Sequence, residues 1–285
     1  MATLTEAASA SARFARRLRL PRLDAPQVST RALGVAAAST IAFLYLPIVV
    51  LIVFSFNDNP VTTLPLRGFT WRWYESAFAN ADLLRALWNS IHVASSATVL
   101  CIVIGVPAAI ALDRIEFSGK ALFRRAVLLP LVLPGIITGI SMLNLFRVIG
   151  FDLSLTTVIV GHGTALVSVV ITQVFARLQR FNRRLEEASD DLGATPLQTF
   201  WLVTLPSIRT AIVGSALLAF TLSFDEIPVT FFLTGRDNTL PMYIYSTLRS
   251  GITPEINAIG TIIVVTSLFI IFLSVYLLSD KQEGR

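Results

Sequence analysis

Glu187-Ala188-Ser189-Asp190-Asp191-Leu192-Gly193-Ala194-Thr195-Pro196-Leu197-Gln198-Thr199-Phe200-Trp201-Leu202-Val203-Thr204-Leu205-Pro206 is the stretch on which the fold turns. Residues 187–192 suit a helix. Gly193 can take the positive φ that ends one, and Thr195 can N-cap the next with Pro196 in its first turn. The pattern predicts helix, turn, helix. The second helix presents Leu197, Phe200, Trp201 and Leu205 as an apolar face. The segment has no core of its own to bury that face, so it needs either a membrane surface or a partner protein.

Outward from this segment the chain becomes strongly apolar. Residues 33–56, 86–112, 126–146, 153–176 and 256–279 contain no Asp, Glu, Lys or Arg, and each is long enough for a crossing of about 20 residues. A sixth run, 210–235, is interrupted only by Asp225 and Glu226. The expected fold is therefore all-α: a polytopic membrane protein with six transmembrane helices. Residues 1–32 form an N-terminal tail, 33–279 the six-helix domain with its loop at 177–209, and 280–285 the C-terminus. The run 33–56 exceeds the roughly 7 to 15 residues of a signal-peptide core, so it reads as an uncleaved first helix.

Composition agrees. Of 285 residues, 54% are hydrophobic and 14% charged, against about 25% charged in soluble domains, which excludes a soluble enzyme. The net charge of +5 reflects membrane placement, not nucleic-acid binding. Of 23 Lys and Arg, 17 fall in the tail, 113–125, 177–209 and the C-terminus, which predicts that these segments, and both termini, are cytoplasmic. A single cysteine, Cys101, and two histidines offer neither a disulfide framework nor a metal site.

Glu187-Ala188-Ser189, Gly193 and Val203-Thr204-Leu205-Pro206, with their spacing, resemble the signature cytoplasmic loop of permease subunits of binding-protein-dependent ABC importers. Ser189 replaces the family's second Ala, and Val203 its usual Ile. Further stretches are similar to the spermidine/putrescine branch: Ser55-Phe56-Asn57, Gly68-Phe69-Thr70 with Trp73-Tyr74, the run from Phe220 to Glu226, Thr239-Leu240-Pro241 and the segment from Gly251 to Ala258. The resemblance implies a type I ABC importer permease fold in the bacterial inner membrane. Glu187, Ala188, Gly193, Ala194, Phe200, Leu205 and Pro206 would then form the coupling loop that docks on an ATPase. It further implies a second homologous permease subunit, two ATPase subunits that hold ATP and Mg, and an extracytoplasmic solute-binding protein. This chain would bind no cofactor of its own.

Asp225 and Glu226 are the anomaly of their span, since a carboxylate near a helix centre costs roughly 2.5 to 3.5 kcal/mol on insertion scales. Adjacent helical residues point about 100° apart, so both acids face one path only if the helix opens. Pro228, which lacks an N–H and clashes with the carbonyl of Phe224, supplies the break. The acids read as substrate-path residues offering negative charge to a cation, or else as a polar clamp to a neighbouring helix or subunit. His92 and His162 read as neutral packing residues hydrogen-bonded between helices. Gly135 and Gly139 mark a close helix approach, Pro130 and Pro134 a bend, and Phe69, Trp71, Trp73 and Tyr74 an interfacial aromatic group.

Gly119-Lys120 lacks the rest of a phosphate-binding loop, so an energised transporter of this kind draws on a partner ATPase. The preferred function is the permease subunit of an ATP-driven polyamine importer, forming half of its path. Related importers carry iron, thiamine, opines or oxyanions. The rivals are an ion-driven secondary transporter using Asp225 and Glu226 as proton carriers, and an intramembrane enzyme using the acids with His92 and His162.

Overall fold

The computed structural model describes residues 30–61, 63–250 and 254–279; most of the expected N-terminal tail and the C-terminus lie outside them. The chain divides into two compact units, Met1–Val53 and Phe54–Arg285. The described part of the first is carried by α1 (Thr30–Ser55), an uninterrupted apolar helix despite Pro47.

In the second unit α2 (Arg72–Ala79) leads into the 34-residue α3 (Ala81–Arg114). Asn80 caps α3 by accepting the Leu83 N–H at 3.1 Å. Asp82 in the first turn and Arg114 in the last complement the helix dipole. The 24-residue α7 (Leu155–Leu178) starts in a capping box of Ser154 and Thr157. α3, α7 and α10 (Leu205–Phe224) pack together around Cys101, Ala109, Val170, Val174, Ile208 and Ala219. These small and β-branched side chains let the three helices approach closely.

The expected span at 126–146 is not one helix. α4 (Lys120–Ala126) and the short α5 (Leu129–Val132) precede α6 (Gly135–Val148), and the two arms meet at 105°. Pro134 stands at the corner, where its missing N–H cannot continue a helix. Among the described residues four helices are long and apolar enough to cross a membrane, and this bent pair makes a fifth. α12 (Leu240–Ser250) precedes α13 (Pro254–Ser279), a further 26-residue helix, apolar over Pro254–Phe269.

The signature stretch also differs from a free loop. α8 (Arg184–Asp191) is followed by the turn, then by α9 (Pro196–Thr199), a π-helical turn (Phe200–Thr204) and α10 in unbroken succession. The second helix of the expected helix-turn-helix is thus the beginning of the fifth span, Pro196–Phe224. Its apolar face merges with the span's own, and the connection shrinks to 179–195.

Candidate functional site

The turn in the signature stretch is built as its residue types require. Gly193 has φ +80°, a left-handed conformation disfavoured for other residues. Thr195 and Gln198 cap α9 reciprocally, Thr195 N to Gln198 Oε1 at 2.8 Å and Gln198 N to Thr195 Oγ1 at 3.4 Å. Ser189 and Thr199 hydroxyls meet at 3.0 Å, closing α8 onto α9. Glu187, Ala188 and Pro206 are exposed; Ala194, Phe200 and Leu205 are half-buried. Beside them Leu192, Leu197 and Leu202 are 89%, 67% and 75% exposed, an apolar surface left uncovered among the described residues.

Polar clasps that the sequence reading missed fasten this assembly to the bundle. Glu186 accepts from Arg114, at the end of α3, and from Thr204 in the π turn. Asp113 takes Arg183 at 3.1 Å and Gln179 at 2.5 Å, and Arg177 donates to Ser207 O at 3.1 Å. Arg114 and Glu186 lie 72 residues apart, so no local pattern signals their pairing.

At the other end of α10 the helix stops where Pro228 predicts. Asp225 N donates to Thr221 O at 3.2 Å, Ile227 follows, and α11 (Pro228–Leu233) begins. Glu226 Oε1 accepts the Val229 N–H at 3.0 Å, so this carboxylate caps α11. Asp225 is exposed on the chain. The two acids, expected as a pair, are separated in role by the break.

His162, 1% exposed, holds the break together. Its Nδ1 lies 2.7 Å from Ser223 Oγ in α10 and its Nε2 2.9 Å from Thr230 Oγ1 in α11. Thr230 Oγ1 donates to Glu226 O at 2.9 Å. Its single proton being spent there, Thr230 can only accept from Nε2–H, and Ser223 closes the other ring nitrogen. His162 therefore packs between helices as expected. His92 is exposed and does not.

The close approach expected at Gly135 and Gly139 receives this same break. A Cβ on Gly139 would lie 2.8 Å from Phe232 Cδ2 and 3.1 Å from Pro228 O; one on Gly135 would lie 3.1 Å from Glu226 Oε1. From α7, a Cβ on Gly161 would come within 2.3 Å of Leu233 Cδ1. α11 is thus wedged between glycine faces of α6 and α7. Beside it lies a cavity of about 270 Å³ lined by Ile136, Ile227, Pro228, Phe231, Phe232 and Tyr245.

The aromatic group after α1 forms a cluster of its own. Phe56 stacks on Phe69 with centroids 5.0 Å apart and meets Trp71 edge-on at 5.0 Å. Asn57 orders the turn, its Oδ1 accepting from Arg67 N and its carbonyl from Trp73 Nε1, each at 2.7 Å.

A membrane-spanning bundle with a fastened helix-turn-helix at one end and an opened, acid-bearing helix at the other has the build of a solute permease subunit. Residues 101–283 match the family model described as binding-protein-dependent transport system inner membrane component. The chain is 37% identical over 234 residues to the spermidine/putrescine transport system permease protein PotC of Haemophilus influenzae, spanning 82% of this chain and 91% of that protein. It is 36% identical over 251 residues to the putrescine transport system permease protein PotI of Escherichia coli, spanning 85% and 89%. In fold it is similar to a bacterial ABC transporter involved in import of the polysaccharide alginate, with a TM-score of 0.64 at 19% identity over 90% of this chain and 99% of that one. The chain belongs to the family of binding-protein-dependent transport system inner membrane components, and its relatives are permease subunits, not enzymes.

Proposed function

We propose that this chain is a permease subunit of an ATP-driven importer of polyamines and forms half of the translocation path. The observation that carries the reading is Asp225: an exposed carboxylate at the opened end of a span, in a chain whose relatives are polyamine permeases. A polyamine offers cationic amines to such an acid. Phe231 lines the cavity beside the same break, and an aromatic ring can receive such a charge on its face. Glu226, spent on capping α11, contributes negative potential at the path wall.

In this reading a second homologous permease subunit completes the path. Two ATPase subunits holding ATP and Mg dock on the uncovered surface around Glu187, Ala188, Gly193, Ala194 and Phe200, and an extracytoplasmic binding protein delivers the solute. The signature end and both termini lie in the cytoplasm of a bacterial inner membrane. Closure of the ATPases moves α8 and α9. The clasp of Glu186 with Arg114 and Thr204 passes that displacement to α3 and α10. Leu205 and Pro206 begin α10, and its far end, about 30 Å away, carries Asp225. An ion-driven carrier would leave this fastened surface without a role.

The test is uptake of labelled putrescine and spermidine in cells lacking their own importer, supplied with the complete complex. We expect uptake with the wild-type chain and a loss of at least tenfold with Asp225→Asn, which forfeits about 1.4 kcal/mol of interaction. Equal uptake by both would remove Asp225 from the path. Uptake by neither, with the complex assembled, would overturn the polyamine reading.

A further inference from the structure

A large cavity lies away from the path, at the signature end of the bundle. It measures about 860 Å³ and sits between the end of α3, the helix α4 and the end of α7. Its wall combines Lys120, Arg124 and Arg125 with Asp113 and Glu116, and with apolar Leu112, Phe117, Leu128 and Phe175.

The two acids of this wall are already engaged. Asp113 is held by Arg183 and Gln179, at 3.1 and 2.5 Å, and Glu116 pairs with Lys120 at 2.7 Å. Arg124 is posed over the Phe175 ring, 5.0 Å from its centroid, and neither it nor Arg125 has a carboxylate partner among the described residues. Two guanidiniums, the groups best shaped to grip a phosphate in two-point fashion, thus face the cavity uncompensated. Around them α4 exposes Leu122 and Phe123, 72% and 44%. This makes an apolar rim at the level where the long helices end, suited to the acyl region below a headgroup.

We propose that this cavity seats the phosphate headgroup of an anionic membrane phospholipid. The chemistry selects against the obvious protein occupant: the chain's own tail, with Arg13, Arg16, Arg17, Arg19 and Arg22, repels a basic pocket. A polyamine is repelled likewise, so the site is separate from the transport path. Basic pockets between helices on the cytoplasmic side have the charge to hold such lipids. The site rests on the permease reading only for its place at a membrane surface, and its test needs no transport.

The experiment uses the complete complex in phosphatidylcholine nanodiscs, titrated with phosphatidylglycerol or with inorganic phosphate, bound lipid being counted by native mass spectrometry. We expect saturable retention of phosphatidylglycerol by the wild-type complex. The affinity should fall about fivefold with Arg125→Gln and about 30-fold with Arg124→Gln and Arg125→Gln together. Arg124→Lys with Arg125→Lys should bind between the wild-type and the double Gln complex, keeping the charge but not the two-point grip, and Arg67→Gln should keep all of the binding. Unchanged retention by the double Gln variant would overturn the site. Saturable binding of inorganic phosphate that phosphatidylglycerol does not displace would make it a soluble-anion site instead. Loss of the ATPase from the double Gln complex at unchanged lipid retention would make it a protein contact.

Discussion

Gly193 and Glu226 are the residues whose backbone and side-chain duties are fixed most tightly. Gly193 has φ +80° and open space where a Cβ would stand, so a substitution there is opposed by backbone conformation alone, by about 1 to 2 kcal/mol. That is small against the stability of a chain of this size but falls wholly on the turn that the ATPase would grip. Gly193→Val should therefore leave the complex assembled and its ATP hydrolysis present while transport drops severalfold; uptake at the wild-type rate would deny the turn a coupling role. Glu226 is a cap before it is a charge. Glu226→Gln keeps an acceptor for the Val229 N–H and should melt within a few tenths of a kcal/mol of wild type, whereas Glu226→Ala should lose about 1 kcal/mol. Identical melting of the two variants would show the cap to be idle.

Among elements, α11 is the part whose position is over-determined. His162 ties it to α10 and α7 through Ser223 and Thr230, Thr157 Oγ1 donates to Leu233 O at 2.7 Å, and the glycines of α6 and α7 admit it sterically. A methyl at Gly161 would collide with the end of the Leu233 side chain, whereas one at Gly139 meets the backbone of Pro228 and Val229 as well. Gly161→Ala should thus cost about 1 to 3 kcal/mol and be relieved in part by Leu233→Ala. Gly139→Ala should not be rescued by Phe232→Ala. Additive melting losses for Gly161→Ala and Leu233→Ala would refute the contact. Much of this was legible in the sequence: the glycine pair, the break at Pro228 and the turn at Gly193 each rest on a local rule. The continuation of α9 into α10 was not, because a cap at Thr195 marks a start equally well for a short interfacial helix and a long span. Nor were the clasps of Glu186 and Asp113, whose partners are brought near only by the packing of α3 against α7. The acid pair was read as one feature because adjacency in sequence hides which carboxylate the next helix will claim.

At the scale of the whole molecule, path, coupling surface and lipid pocket all depend on orientation, which the charge distribution predicts. Lys and Arg gather at the signature end and thin out at the other, and moving such clusters across a bilayer during insertion is what the cell avoids. The chain lends itself to a direct test because its one cysteine, Cys101, is fully buried between α3 and α7, where packing shields it from a maleimide. A reporter cysteine can be added without removing it. Leu192→Cys sits on the exposed turn beside Gly193, and Thr63→Cys on the connection after α1, at the opposite end by the charge argument. With a membrane-impermeant maleimide, intact spheroplasts should label Thr63→Cys and spare Leu192→Cys, and permeabilised ones should label both. The reverse pattern would invert the permease, put Arg124 and Arg125 on the outer leaflet and leave the Gly193 turn out of reach of any cytoplasmic ATPase. Labelling of the unsubstituted chain in intact cells would instead show that α3 and α7 part far enough to expose Cys101, and the packing described for the bundle would have to be revised.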